Sequence, residues 1–156
     1  MNRTFLAAAT LFSAACFIGQ AQAADGVIRH KIPNSDFPIS MAVEIPASAT
    51  VVNLSGAVPK ISEGDTEAQT VSVLQSIEAT LKSLDLEMKD VIKMQAYLVG
   101  DSAKQGKMDF DGFMKGYTQF FGTEAQPNLP TRSVFQVAGL ANPAWLVEIE
   151  VTAVRP

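Results

Sequence analysis

The C-terminal part of the chain decides the fold. It reads "LPTRSVFQVAGLANPAWLVEIEVTAVRP" from Leu129 to Pro156. Two segments of this stretch alternate with the period of two that is typical of β-strands. We therefore predict two C-terminal strands joined as a hairpin. Odd-numbered positions are expected to face the core, namely Ser133, Phe135 and Val137 in the first strand and Val147, Ile149, Val151 and Ala153 in the second.

The even-numbered positions form a mixed face. They place Arg132, Gln136, Glu148 and Glu150 among apolar residues such as Val134, Leu146 and Val154. This mixture suits a surface that another subunit covers, with pockets left in the seam. If the hairpin sets Val134 opposite Glu148, Arg132 becomes the diagonal neighbour of Glu148. A slip of one residue would put the two side chains on opposite faces.

The preceding residues predict strands and helices in alternation. Apolar alternation indicates strands at 39–45, 50–56 and 91–99, the first two joined as a hairpin. Thr66 followed by Gln69 is a capping-box pattern, which predicts a helix that begins near residue 66. A second helix is predicted over about 108–121. The order β-β-α-β-α-β-β indicates an α+β protomer with two helices on one face of a single sheet. The helices are expected to pack through two apolar stripes, Val71, Leu74, Ile77, Leu81 and Leu84 on the first and Phe110, Phe113, Met114, Tyr117 and Phe121 on the second.

Residues 1–23 are predicted to be a signal peptide that is removed. Arg3 precedes the apolar run "TFLAAATLFSAACFIG", and "AQA" at 21–23 offers the small residues that a signal peptidase recognises. The run is short for a membrane span. We expect a periplasmic or secreted protein with a polar leader at 24–36, a domain at 37–156 and no membrane association after processing. Because Cys16 lies in the removed segment, the mature chain has no thiol nucleophile.

The composition disfavours several classes of site. The chain carries 12 basic and 16 acidic residues, a net charge of −4, which opposes binding to the phosphate backbone of nucleic acids. His30, the one histidine, lies in the polar leader, and no His or Cys pattern has the spacing of metal ligands. No glycine-rich loop fits a phosphate group. We therefore expect no metal site, no cofactor and no nucleic-acid partner.

Arg132 is the strongest candidate for a functional residue. A guanidinium stays charged and can grip a carboxylate through two parallel hydrogen bonds, which lysine cannot do. The alternative is a structural salt bridge to Glu148 or Glu150. The residues alone leave these two interpretations about equally supported.

The segments "LPTRSVFQV" and "VEIEVTAV" resemble the signature of the reactive intermediate deaminase family (RidA, formerly YjgF). In that family a P-x-R-S segment is followed by a terminal I-E-I-E-A-x-A strand. "FMKGYTQFF" in the preceding helix and "NLSGAVP" near the second strand extend the resemblance over the domain from about residue 37. The resemblance implies a chorismate-mutase-like protomer and a homotrimer whose sheets line a central barrel, with three pockets between neighbouring subunits.

The resemblance also implies a reaction, the hydrolysis of reactive 2-imino acids to 2-keto acids and ammonia without a cofactor. The family's arginine and glutamate fall on Arg132 and Glu148, and the "SG" that borders the pocket falls on Ser55 and Gly56. Three polar or reactive residues of typical members are apolar here, so we expect a pocket with fewer hydrogen bonds. These replacements are Ile39 for a tyrosine, Met114 for an asparagine and Val134 for a cysteine.

In this interpretation Arg132 holds the substrate carboxylate and Glu148 takes the proton of the attacking water. One alternative is a non-catalytic trimer of the same fold that binds small ligands or acts as a chaperone, which the three apolar replacements favour. Another is a ribonuclease, which the acidic charge and the lack of a catalytic histidine disfavour.

Overall fold

The computed structural model describes residues 26–61 and 63–155. Its strands and α-helices are β1 Ile28–Lys31, β2 Ser40–Glu44, β3 Thr50–Ala57, α1 Thr66–Ser83, β4 Val91–Val99, α2 Phe110–Tyr117, β5 Thr131–Val137 and β6 Val147–Arg155. The main sheet has four strands in the order β3-β6-β4-β5, and β4 and β5 are parallel while the other pairs are antiparallel. A separate antiparallel pair is formed by β1 and β2. The α+β class, with a sheet and two helices, is confirmed.

Both predicted hairpins are wrong. The strand predicted over 39–45 pairs with β1, and the strand predicted over 50–56 pairs with β6. The two C-terminal strands are separated by β4, which pairs with β5 on one side and with β6 on the other. In the C-terminal case, α2 carries the chain from β4 to β5 as a parallel neighbour, since parallel strands require a long crossover connection, and β6 pairs with the other edge of β4.

The polar leader predicted over 24–36 contains a strand. Val27 is buried, and β1 pairs with β2 in antiparallel register. His30, on β1, places its Nε2 atom 2.6 Å from Oε1 of Glu44 on β2. The predicted signal peptide at 1–23 lies outside the described residues. Within the described part of the chain, no helix is long and apolar enough to cross a membrane.

The core lies between the helices and one face of the sheet. Leu74, Ile77 and Leu81 of α1 are buried as predicted, whereas Leu84 at the end of the predicted stripe is exposed. The aromatic stripe of α2 also packs in the core, with the rings of Phe113 and Tyr117 stacked 5.9 Å apart. Four odd-numbered residues of β6 complete this core, as expected: Val147, Ile149, Val151 and Ala153.

The start of α1 differs from the predicted capping box. The N-cap is Asp65, whose side chain accepts a 2.9 Å hydrogen bond from the backbone N–H of Ala68. Gln69 is instead buried, where its side chain donates to the carbonyl of Ala144 and accepts from the N–H of Leu146. Gln69 therefore ties the connection before β6 to α1.

The face assignment of β5 is the reverse of the prediction. In the parallel ladder, Arg132 is in register with Met94 and Val134 with Ala96, and both of these β4 residues are fully buried. Because partners in register share a face, the even-numbered residues of β5 face the helices. Phe135 lies on the other face and is 48% exposed. We refer to that other face as the open face of the sheet.

Candidate active site

Arg132 lies on the helix-covered face of the sheet, among three aromatic rings. Its Cζ atom is 4.2 Å from the centre of the Tyr117 ring, 5.2 Å from that of Phe113 and 5.4 Å from that of Phe37. Tyr117 and Phe113 are one turn apart on α2, so the helix fixes this platform. Cation–π attraction contributes roughly 0.5–2 kcal/mol, depending on desolvation. The rings orient the guanidinium without neutralising its charge.

The charge of Arg132 has no carboxylate partner within residues 26–61 and 63–155. Its Nη2 donates to the sulfur of Met114 at 3.1 Å, and its buried Nη1 has no hydrogen-bond partner among these residues. Burial lowers the pKa of Arg132, and the Tyr117 hydroxyl opposes this effect. Burial also raises the pKa of Tyr117 to about 12, against the influence of Arg132. An anionic ligand would satisfy a cation in this state.

The segment before β2 lies beside this arginine. The carbonyl of Pro38 accepts a 2.9 Å hydrogen bond from the Tyr117 hydroxyl. Ser40 is bound to the start of β5, since its N–H donates to the carbonyl of Pro130 at 2.9 Å and its hydroxyl donates to that of Leu129. Ile39 stands between these two anchored residues and is thereby held near Arg132.

Met114 and Val134 complete the surroundings of Arg132. Met114 lies on α2 and contacts the guanidinium through its sulfur. Val134 follows Arg132 on the same face of β5 and packs against the core. The structure thus places Met114 in contact with Arg132, Val134 next to it on the same face of β5, and Ile39 in the segment that is bound to Tyr117 and to the start of β5. We refer to Ile39, Met114 and Val134 as the apolar pocket residues.

Glu148 lies on β6 on the open face, beside a β-bulge of β3. The ladder between β3 and β6 shifts register between Leu54 and Ala57, where Ser55 and Gly56 form the bulge. A Cβ atom at Gly56 would overlap with the carboxylate of Glu148. Glycine at this position therefore allows the carboxylate to lie against the backbone of β3. Glu148, Ser55 and Gly56 form a second cluster.

An aromatic pair that was not predicted borders Glu148. Tyr97 is the direct cross-strand partner of Glu148, and its ring stacks on Phe135 with 6.3 Å between ring centres. Its hydroxyl donates a 3.1 Å hydrogen bond to Glu150. Partial burial and this hydrogen bond to Glu150 raise the pKa of Tyr97, as do the charges of Glu150 and Glu148. Within the described residues Glu150 is thus occupied, whereas Glu148 makes no side-chain hydrogen bond or salt bridge.

A single chain does not bring Arg132 and Glu148 together. The predicted diagonal contact is wrong, because β4 lies between the two strands and the two side chains project from opposite faces. For the same reason Arg132 forms no salt bridge with Glu148 or Glu150 in the described structure. The chain instead carries two partial sites, the Arg132 cluster on the helix-covered face and the Glu148 cluster on the open face.

The aromatic stripe of α2 lies in the core as predicted, and it has a second role that was not predicted, as the platform beneath Arg132. The spacing of Phe113 and Tyr117 gave no signal for this role, because core packing uses the same spacing. Phe37 was also missed, although its position two residues before Ile39 was a usable signal. Within the described residues, no group of three or more His, Cys, Asp or Glu side chains could hold a metal ion.

Comparison with solved structures gives several relatives of the same fold. Escherichia coli TdcF, solved with bound serine, is 29% identical, covers 76% of this chain and 93% of its own, and has a TM-score of 0.58. A Mycobacterium tuberculosis member of the YjgF/YER057c/UK114 family is 27% identical, covers 81% and 98%, and has a TM-score of 0.53. The Rid-family protein YyfB from Yersinia pestis is 24% identical with a TM-score of 0.65 over 82% and 98%, which supports the fold alone.

A comparison with curated proteins gave no match. The family model described as endoribonuclease L-PSP matches residues 30–155. This match includes β2 to β6, both helices and all residues of the two partial sites. Together with the related structures it supports a role that involves small molecules. The chain belongs to the endoribonuclease L-PSP family, which is the YjgF/Rid family.

Proposed function

We propose that this protein hydrolyses reactive 2-imino acids to 2-keto acids and ammonia, in pockets between the subunits of a homotrimer. Arg132 of one subunit binds the substrate carboxylate, and Glu148 of a neighbouring subunit activates the water. The observation that carries the proposal is the partly buried guanidinium of Arg132, which has no anionic partner within the described residues. The related TdcF was solved with serine, a ligand that also bears a carboxylate.

The positions of the two clusters support an intersubunit site. Arg132 and Glu148 project from opposite faces of the same sheet, so they can act on one ligand only when two subunits supply them. The open face also carries exposed apolar residues, namely Phe135 at 48% and Val51 at 46%, and contact with another subunit would remove them from water. Light scattering of the protein at micromolar concentration tests this assembly. A monomer mass would remove the proposed site.

The proposed reaction needs one carboxylate that moves protons. Water adds its oxygen to the carbon of the protonated C=N bond while Glu148 takes one proton, which gives a neutral carbinolamine. Glu148 then returns this proton to the nitrogen. The C–N bond breaks with its electron pair on nitrogen, while Glu148 takes the hydroxyl proton and a C=O bond forms. Transfer of that proton to the ammonia gives ammonium and restores the carboxylate.

Arg132 contributes orientation to this reaction. A bidentate grip on the carboxylate would fix the adjacent C=N carbon relative to Glu148, and fixing two reactants in the correct geometry is a large entropic contribution to rate. The rings of Tyr117 and Phe113 restrict the guanidinium before a substrate arrives. The apolar pocket residues then favour substrates with apolar side chains.

A competition assay tests the activity. An amino-acid oxidase generates imino acids from several amino acids in the presence of semicarbazide, which traps imine that has not been hydrolysed. Under this proposal, the purified protein lowers the yield of semicarbazone in proportion to its concentration. An unchanged yield over the whole panel would refute the enzymatic function.

The second candidate function is a non-catalytic trimer that binds carboxylate-bearing ligands or exposed protein segments. The observation in its favour is the contact of Arg132 with the thioether of Met114, since a thioether is a weak acceptor that adds little to substrate orientation. Binding of a 2-keto acid by calorimetry, together with an unchanged semicarbazone yield, would select this function. A nuclease function, which the family description names, is opposed by the net charge of −4.

For localisation we propose that the mature protein begins after residue 23 and acts in the periplasm or outside the cell. The support is the arrangement of Arg3, the apolar run and "AQA" in the sequence. Mass spectrometry of the protein from fractionated cells tests this. A cytoplasmic protein of full length would contradict it.

A further inference from the structure

Met114 is the hydrogen-bond partner of the arginine on which the proposed function rests. Its sulfur lies 3.1 Å from Nη2 of Arg132, and its side chain is only partly buried. A thioether is a weak acceptor, so this contact leaves the charge of Arg132 largely unsatisfied. Any change that made Met114 a strong acceptor would therefore act directly on the carboxylate site.

We propose that Met114 is an oxidation site, and that its sulfoxide competes with the substrate carboxylate for Arg132. This inference rests on the proposed function, because it assumes that Arg132 binds a carboxylate. The oxidant is a hydroperoxide, with hydrogen peroxide as the simplest case. Hydrogen peroxide is also the co-product when dioxygen oxidises an amino acid to an imino acid.

The modification is a two-electron oxygen transfer. A lone pair of the Met114 sulfur attacks one peroxide oxygen and the O–O bond breaks. The second oxygen leaves as water after proton transfer, so the sulfur is oxidised and the peroxide is reduced. The sulfoxide is polar and chiral, and methionine sulfoxide reductases convert it back to the thioether.

The product would change the contact with Arg132. The new oxygen is bonded to the atom that now accepts from Nη2, so it is placed to accept a charge-assisted hydrogen bond from the same guanidinium. Such bonds are roughly twice as strong as neutral ones. The substrate carboxylate would then have to displace the sulfoxide oxygen of Met114 before it could bind the same edge of the Arg132 guanidinium.

Three of the four other methionines in the described residues provide controls, and the fourth, Met108, is half-buried like Met114. Met88 and Met94 are 6% and 0% exposed, so peroxide reaches them slowly. Met41 on β2 is 58% exposed and should oxidise readily. It has no hydrogen bond to Arg132 in the described structure, so its sulfoxide should leave the site unchanged. Met41→Leu is therefore the matched control for Met114→Leu.

The test measures binding of 2-oxobutanoate by calorimetry before and after hydrogen peroxide, with peptide mass spectrometry to quantify the sulfoxide at each methionine. We expect wild type and Met41→Leu to lose affinity about tenfold once Met114 is oxidised, and to recover it after treatment with the reductase. After the same peroxide treatment, Met114→Leu should bind 2-oxobutanoate within about twofold of the affinity that this variant had before treatment.

Two results would overturn the inference alone. One is that Met114 of wild type is oxidised and the affinity for 2-oxobutanoate is unchanged, or that Met114 is not oxidised by the peroxide at all. The other is an equal loss of affinity in Met114→Leu. Failure of the untreated wild type to bind 2-oxobutanoate is a different result, because it refutes the carboxylate site itself and the inference falls with it.

Discussion

Replacing Gly56 with alanine tests the role of Glu148 without altering its carboxylate. The added Cβ atom would lie 3.0 Å from Cδ and 3.2 Å from Cγ of Glu148. Oε1 of Glu148 would lie closer still, and non-bonded atoms pack best at about 3.5–4.0 Å, so the carboxylate must move by roughly 1 Å or more. Because the end of this side chain is flexible, the free energy of unfolding should change by less than about 1 kcal/mol. A displacement of about 1 Å at a reacting group lowers a rate by roughly a hundredfold.

The assay compares imine hydrolysis and melting temperature for wild type, Gly56→Ala and Gly139→Ala. Gly139 is the matched control because a Cβ atom there would meet no atom within 4 Å. We expect Gly139→Ala to hydrolyse imines like wild type and Gly56→Ala to be folded but about a hundredfold slower. A folded Gly56→Ala variant with the wild-type rate would refute the assignment of Glu148 as the proton acceptor.

Three further predictions concern the packing and chemistry around the Arg132 cluster. Gly116→Ala should lower the free energy of unfolding by about 1–3 kcal/mol, because its Cβ atom would lie 2.7 Å from Cβ of Thr70 in the tight α1–α2 contact. Urea unfolding checks this, and an unchanged midpoint would contradict it. Since burial raises the pKa of Tyr117 from 10.0 to about 12, the folded state holds this proton more tightly than the unfolded state. The free energy of unfolding should therefore fall by roughly 2–3 kcal/mol as the pH rises from 10 to 12. Urea unfolding at both ends of this range should show the loss in wild type and a smaller loss in Tyr117→Phe; equal losses would refute the prediction. Because the apolar pocket residues replace polar ones, imino acids with longer apolar side chains should be preferred, by roughly 0.8 kcal/mol per buried methylene. Faster hydrolysis of the three-carbon imine than of the leucine-derived imine would count against this.

The sequence predicted individual elements better than their partners. The alternation in β6 identified its buried face because its odd-numbered residues from Val147 to Ala153 are all apolar, and the helices were found from their apolar spacing. Alternation carries no information about which strand lies alongside. The pattern strand, helix, strand over 91–137 was a usable signal for a parallel crossover, since two strands joined by a helical segment favour that arrangement. This signal alone would not have excluded the C-terminal hairpin, because β5 could still have paired with β6 at its other edge; the order β6-β4-β5 depends on tertiary contacts.

Only part of the candidate site was predicted, because the face of a strand depends on which strand lies alongside it. Arg132 was identified by its chemistry and its family motif, and one of the apolar pocket residues, Met114, contacts its guanidinium. The face of β5 could not be read from alternation, because each parity contains both polar and apolar residues. Arg132 on the helix-covered face and Phe135 on the open face result from the register with β4, which depends on a tertiary contact. The strand β1 was missed because its residues Arg29, His30 and Lys31 are polar.

The rate of imine hydrolysis by Arg132→Lys tests the central claim most directly. Lysine keeps the positive charge at this position but loses the planar fork that binds a carboxylate through two hydrogen bonds. Melting temperature and light scattering establish that the variant keeps the fold and assembly of the wild type. The account predicts a folded variant whose hydrolysis is at least about a hundredfold slower than that of wild type. Hydrolysis at the wild-type rate would contradict it.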